Sequence, residues 1–232
     1  MNQAALKYQN IFDEFASSYH LVDALFAGIP NRLRKRAIKN SNVSNKGLVI
    51  DLMCGSGNNV KYLEQNISGK LKYLGLDFSN RMVMCATDKF SMLSNVAFME
   101  TNIFCLSKES EKADYILCSY GLKCIDKEDY HRFVDLIDNI INTTGTLSIV
   151  EFQLPKSLFL KIIFKFYLST VYRLACLFTV GNMMPAKALL QTLSNTMDLE
   201  LLKSKFDEKD IEITIEKRWN NGAVFITGRR KQ

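Results

Sequence analysis

From residue 48 onward, short apolar runs alternate with stretches of helical texture, and this alternation limits the fold more than any other feature of the chain. The runs are Leu48–Leu52, Leu71–Leu76, Val96–Met99, Ala113–Ser119 and Thr146–Phe152, with gaps long enough for crossover helices. Strands joined that way lie parallel with helices on both faces, so an α/β, doubly wound sheet is expected. Asp210–Lys217 and Gly222–Arg229 are linked by a turn around Trp219-Asn220-Asn221-Gly222, which predicts an antiparallel hairpin at the edge of a seven-stranded, mostly parallel sheet. Residues 8–39 read as helical, broken near Gly28-Ile29-Pro30, and residues 39–47 as a polar connection.

At 232 residues, 47% hydrophobic and 23% charged, the chain suits one globular domain and excludes disorder, a linker or a disulfide-stapled module. The net charge of +6 is too mild to demand nucleic acid, and the clusters Arg32, Arg34, Lys35, Arg36 and Arg229, Arg230, Lys231 read as solvated surface. The first residues carry no secretory signal pattern, so a reducing cytoplasm is the expected compartment. Cys54, Cys85, Cys105, Cys118, Cys124 and Cys176 form no CxxC pair and have no His at metal spacing. They read as buried free thiols, and no metal is expected.

The most apolar stretch, Ser157–Gly181, has 25 residues, enough at ~1.5 Å each to cross a bilayer core of ~30 Å. However, Lys161, Lys165, Ser169, Tyr172, Arg173 and Cys176 share one stripe of a helical wheel, while Leu158, Phe159, Ile162, Ile163, Phe166, Leu174 and Leu177 occupy the rest. A helix packed across the sheet follows from that pattern. A wall for an oily substrate and a helix lying on a membrane surface are the alternatives.

The sharpest local signal is Val49-Ile50-Asp51-Leu52-Met53-Cys54-Gly55-Ser56-Gly57-Asn58, an apolar strand ending in an acid before a glycine turn that opens a helix. Glycines without a Cβ let a ligand approach the backbone, and helix-start N–H groups favour a carboxylate or phosphate. Twenty residues after Gly57, the next strand ends at Asp77, placed to accept hydrogen bonds from a ribose. A dinucleotide site would want a small residue at Val60 and no acid at Asp51, beside an anionic pyrophosphate. S-adenosylmethionine suits better: its ammonium and sulfonium groups are attracted to an acid, and its carboxylate to a helix start.

The chain resembles the class I S-adenosylmethionine-dependent methyltransferases, and among them the menaquinone/ubiquinone C-methyltransferases. Phe12-Asp13-Glu14-Phe15-Ala16-Ser17-Ser18-Tyr19 is similar to that family's opening FDxxAxxY, with His20 where the family has Asp. Asp51–Asn58 resembles its DxxxGTGD loop, with Ser56 for Thr and Met53 where a small residue is usual. Leu76-Asp77-Phe78-Ser79-Asn80-Arg81-Met82 resembles its LDxSxxML segment. Ser119-Tyr120-Gly121-Leu122-Lys123-Cys124 is similar to its SFGLRN, Val150-Glu151-Phe152 with Pro155 to its LEFSxP, and Asn221–Phe225 to its closing GG(I/V)A strand. The family's Trp after the basic N-terminal helix is absent, with Leu33 or a neighbour in its place.

The resemblance implies residues 1–46 as an N-terminal helical cover, 47–152 as the cofactor core, 153–209 as a helical insertion or substrate lid and 210–232 as the hairpin. It assigns the cofactor to Tyr19, Asp51, Met53, Gly55, Ser56, Gly57, Asp77, Phe78, Met82, Asn102, Ile103 and Ser119. Asn102 would accept from the adenine amino group, and Phe78 and Met82 would cover the ring. His20 is the candidate base, with Tyr120 and Glu151 orienting the acceptor hydroxyl, while His131 reads as solvent-facing. The acceptor implied is a hydrophobic phenol or quinol methylated on carbon, with O- or N-methylation of a soluble aromatic as the alternative. Peripheral membrane contact is the further partner considered. Nucleic acid is not expected, since only Pro30, Pro155 and Pro185 are present and no aminobase-type tetrapeptide can form.

Overall fold

The computed structural model describes residues 28–67, 69–106, 111–155, 157–179 and 197–231, together with Gln9, Phe12, Asp13 and Ala16. Seven strands form one sheet: β1 (Lys46–Leu52), β2 (Lys70–Asp77), β3 (Val96–Glu100), β4 (Ala113–Ser119), β5 (Ile141–Phe152), β6 (Ile211–Arg218) and β7 (Ala223–Arg230). Their spatial order is β3-β2-β1-β4-β5-β7-β6. The five strands β1 to β5 run parallel, and β7 inserts antiparallel between β5 and β6. The order reverses beside β1, and there the ends of β1 and β4 diverge from their connections to leave a crevice.

The helices are α1 (Ile29–Asn40), α2 (Glu64–Ile67), α3 (Asn80–Lys89), α4 (Tyr130–Ile140), α5 (Leu158–Thr179) and α6 (Leu199–Asp207). Side chains of β1 alternate between two cores. Leu48, Ile50 and Leu52 join Phe133, Ile137, Leu202 and Phe206 from α4 and α6, whereas Val49 joins Val60, Leu63, Tyr73 and Phe90 on the other face. Burial on both faces is what makes these runs continuously apolar rather than alternating.

Three differences from the sequence reading have local causes. First, β5 starts at Ile141 rather than Thr146, because Ile141 pairs with Ala113 before an irregularity resets the register at Tyr115↔Thr146. Second, no helix opens directly on the glycines: residues 53–59 are turns, a short 3-10 turn follows at Val60–Tyr62, and α2 is four residues long. The Asn58 and Asn59 side chains are drawn away, to Lys89 and to Asp51, rather than leaving the segment to coil.

Third, the apolar side chains described for the first half of α5 are not packed across the sheet. Leu158, Phe159, Ile162, Ile163 and Phe166 are exposed, while Lys161 and Ser169 are half-buried. Among the described residues no helix is long and apolar enough to cross a membrane. Of the cysteines expected to be buried, Cys118 is; Cys54, Cys85 and Cys124 are half-buried, Cys105 is exposed and the Cys176 side chain lies outside those described, while His131 is exposed as expected.

Candidate active site

A cavity opens at the C-terminal ends of β1, β2 and β4, lined by Phe12, Arg34, residues 53–56, Asn58, Asn59, Asp77, Phe78, Met82, Ser119, Tyr120, Gly121 and Cys124. Of the expected cofactor residues it brings together Met53, Gly55, Ser56, Asp77, Phe78, Met82 and Ser119.

Asp77 ties the two halves of this wall. Its Oδ2 accepts the Gly55 N–H at 2.8 Å and its Oδ1 accepts the Ser79 N–H at 2.9 Å. Ser79 in turn caps α3 by accepting the Met82 N–H at 3.2 Å, and its hydroxyl donates to Asp13 at 2.5 Å. Burial pushes the Asp77 carboxyl up to about 6, against backbone hydrogen bonds that favour its charged form. Gln9 donates to the Phe78 carbonyl at 3.1 Å and Phe12 meets Phe78 edge-on, so these N-terminal positions lie over the start of α3.

Asp51 is fully buried behind the cavity. Its Oδ2 accepts from the Tyr73 hydroxyl at 2.5 Å and from Asn59 Nδ2 at 2.9 Å, and the Ser119 hydroxyl donates to Asn59 Oδ1 at 3.1 Å. Burial raises its carboxyl to about 7 even though these donors and Arg34 oppose the shift. Its other oxygen, Oδ1, is buried without a hydrogen-bond partner, which is costly unless a cation or donor arrives. Tyr73 was not among the expected site residues; an aromatic in a buried strand looks like core until its hydroxyl finds an acid on the next strand.

The two glycines of the turn do different things. Both have positive φ, Gly55 at +55° and Gly57 at +71°. A Cβ on Gly55 would meet nothing within 4 Å, whereas one on Gly57 would lie 2.8 Å from the Phe98 ring. Gly55 faces the cavity and Gly57 faces the core.

Tyr120 and Glu151 also part company. Tyr120 lines the cavity, but its hydroxyl donates to the Pro30 carbonyl at 2.8 Å, and its ring stacks on Phe152 at 4.9 Å. Glu151 is 2% exposed and accepts from the backbone N–H of Phe152 and of Lys123. Burial raises its carboxyl to about 7, with Lys123 opposing the rise. Neither Glu151 nor Ile103 is at the cavity wall, and Asn102 spends Oδ1 on capping, accepting the Phe104 N–H at 3.0 Å. Tyr19 and His20 lie outside the described residues.

Arg34 corrects the reading of its cluster as solvated surface. It sits on the buried stripe Pro30, Leu33, Arg34, Ala37, Ile38 of α1 and is 4% exposed. Its guanidinium lies over the Tyr120 ring, 4.8 Å from the centroid. That stripe has helical i, i+3, i+4 spacing, a signal in the sequence that a charged residue was to be buried.

These features fit S-adenosylmethionine. An orphaned acidic oxygen at Asp51, a second acid at Asp77 and an open backbone approach at Gly55 suit a ligand with cationic groups and a ribose. The chain is 26% identical over 168 residues to a demethylmenaquinone methyltransferase of Lactococcus lactis, covering 71% of this chain and 66% of that protein. It is 21% identical over 217 residues to one of Staphylococcus epidermidis, covering 93% and 89%. A ubiquinone/menaquinone biosynthesis C-methyltransferase of Hydrogenovibrio crunogenus is 23% identical over 66% of this chain and 61% of its own length. The chain thus spans just under two thirds of the first and third of these relatives. In fold it is similar to DhpI bound to S-adenosylhomocysteine, at a TM-score of 0.65 and 15% identity over 99% of this chain and 98% of that one. It is also similar to magnesium protoporphyrin IX methyltransferase from Synechocystis with bound S-adenosylmethionine, at 0.62 and 12% over 100% and 99%. The model of the ubiE/COQ5 methyltransferase family matches residues 1–224, so the chain belongs to that family of methyltransferases.

Proposed function

We propose that this enzyme transfers a methyl group to a ring carbon of a hydrophobic phenolic or quinol-type acceptor. The observation that carries this is the mixed character of the cavity. One acid, Asp77, and the open backbone at Gly55 line it together with the aromatic and thioether surface of Phe12, Met53 and Tyr120. The names of the relatives in the same family support a quinone-type ring.

When bound, S-adenosylmethionine supplies a methyl on a sulfonium centre. Asp77 and the Gly55–Ser56 backbone would hold its ribose side, and Asp51 would act from behind as the compensating charge. Phe78 and Met82 would cover its purine, and Asn102 and Ile103, set back from the cavity wall, would approach its edge. Met53 and Ser119 complete the wall. In this reading Tyr120 contributes its ring, since its hydroxyl anchors α1, and Glu151 orients the β4–α4 loop through the Lys123 N–H. His20, in the covering segment 1–46, takes the acceptor proton. Residues 153–209 form the acceptor lid, and the exposed apolar side of α5 is where an oily acceptor, or the membrane carrying it, makes contact.

Incubation with methyl-labelled S-adenosylmethionine and a cell extract, followed by phase partition, tests the reading. Label in a prenyl-lipid fraction is expected. Label confined to polar aromatics would establish O- or N-methylation of a soluble metabolite instead, and no label with intact cofactor binding would overturn the reading.

A further inference from the structure

Arg34 is a charge placed where packing alone calls for an apolar residue. Its neighbours on the stripe are Pro30, Leu33, Ala37 and Ile38, and Leu33 and Ala37 pack with Val150, Ala223 and Phe225. A buried ion pair is often no more stabilising than apolar residues of similar volume, so burial of a guanidinium at this position needs another reason. The side chain lines the cavity. Of the described residues lining it, Arg34 alone carries a formal positive charge and Asp77 alone a formal negative one.

The surroundings hold the guanidinium in place. Asn31 Oδ1 accepts from its Nη1 at 3.1 Å. Tyr120 lies beneath it, and Phe152 stacks against that ring. The Tyr120 hydroxyl returns to Pro30 at the start of the same helix, locking α1 to the end of β4. An aromatic ring beneath the guanidinium suits a planar, delocalised cation. A cation fixed beside an aromatic floor, in a site shielded from water, recognises a flat ring bearing an oxyanion.

We infer that Arg34 holds the acceptor in its ionised form, with the guanidinium facing the phenolate oxygen and the Tyr120 ring bounding the acceptor's aromatic system. The inference rests on the phenolic-acceptor reading above. Ionisation matters because a phenolate pushes electron density onto its ring carbons, the atoms to be methylated. Arg34 takes no proton: the O–H bond breaks, its electron pair stays on oxygen, and the proton leaves to the buffer. Among the described residues, the titratable groups that act on Arg34 are Asp51 of β1 and Tyr73 of β2, with Tyr120, which follows β4, beneath it. The readout therefore has to belong to the ligand rather than to the protein.

The probe is 1-naphthol bound to the complex with S-adenosylhomocysteine, titrated from neutral to alkaline pH and followed by naphtholate absorbance, with naphthalene as the uncharged control. In the wild type, bound naphthol is expected to ionise about one pH unit or more below its value in water, roughly tenfold in the ionised ratio. Arg34→Met should abolish that displacement while naphthalene still binds, and Arg34→Lys should restore part of it. Because naphthol need not be methylated, this result stands or falls apart from the extract experiment.

A wild-type displacement that is absent or upward would overturn the inference, even if no Arg34 variant folds. An Arg34→Met protein with the wild-type displacement would overturn it too. So would a roughly tenfold loss of S-adenosylhomocysteine affinity with the naphtholate spectrum unchanged, which would put the guanidinium on the cofactor's carboxylate. Failure of both naphthol and naphthalene to bind would refute the aromatic-acceptor reading itself.

Discussion

Alanine at Gly55 and alanine at Gly57 are the same chemical change two residues apart, and they should break different properties. Both positions are left-handed, at φ +55° and +71°, so each substitution carries a backbone strain of about 1–2 kcal/mol. At Gly57 there is a second cost. The new Cβ would sit 2.8 and 2.9 Å from Phe98 and 3.1 Å from Phe90. Phe98 cannot swing aside freely, because it stacks on Phe90 at 6.1 Å and meets Tyr73 edge-on at 5.7 Å. Overpacking of this kind costs about 1–3 kcal/mol, so Gly57→Ala should lose about 2–5 kcal/mol in urea unfolding followed by far-UV circular dichroism. Gly55→Ala should lose only about 1–2 kcal/mol. Its Cβ enters open space at the cavity wall, and S-adenosylhomocysteine affinity measured by calorimetry should fall by about tenfold or more, about 1.4 kcal/mol. A Gly55→Ala protein that binds normally would move the cofactor away from this turn. A Gly57→Ala protein as stable as Gly55→Ala would refute the packing argument.

The remaining predictions concern charge, the buried relay and the surface helix. The carboxyls of Asp51 and Asp77 sit at about 7 and about 6, so protons must leave before they can meet a cationic ligand. Cofactor affinity should rise between about pH 5.5 and pH 7.5 with proton release visible as a buffer-dependent binding heat, and a flat profile would remove both acids from the site. Because these folded values, and that of Glu151 at about 7, lie above the unfolded ones, the stability they contribute is complete below about pH 4 and is lost as pH rises through 6 to 7. Thermal melts of the cofactor-free protein across that range check the sign. Tyr73→Phe deletes the donor 2.5 Å from Asp51 and should cost about 1.5–3 kcal/mol while moving the pH midpoint of cofactor binding upward; an unmoved midpoint would make Tyr73 purely a packing residue. Replacing exposed Phe159 and Phe166 with Ser should leave unfolding within about 0.5 kcal/mol of wild type, yet weaken sedimentation with lipid vesicles. Unchanged sedimentation would separate α5 from membrane contact.

Much of the fold is written locally. The strand β4 begins and ends where its apolar run does, and β2 is within a residue of its run, because burial of central strands requires unbroken apolar runs; the edge strand β3 also matches within a residue, though none of its residues is buried. The acids Asp51 and Asp77 were legible for a related reason: a charge is tolerated only where an apolar strand reaches the sheet's end. What local pattern could not give was direction of burial. The sequence of α5 has an amphipathic stripe, but nothing in it says which side meets protein, and its described apolar residues lie outward. The glycine turn shows the same limit, since a helix was expected from Gly57 and the asparagine side chains compete for other partners.

The division follows the range of the forces involved. Residue order alone determined the alternating α/β plan, the glycine turn, the strand-end acids and the family motifs, since each depends on neighbours a few positions apart. Only the tertiary structure decided that Arg34 is buried over Tyr120, that Tyr73 donates to Asp51, and that Gly55 faces the cavity while Gly57 faces Phe98. Those relations join residues far apart in the chain, as Ser119 to Asn59 across 60 positions and Tyr120 to Pro30 across 90. They exist because β1 lies between β2 and β4 while α1 packs on β5 and β7 and is tied to the end of β4, and strand order is a property of the whole folded sheet rather than of any segment in it.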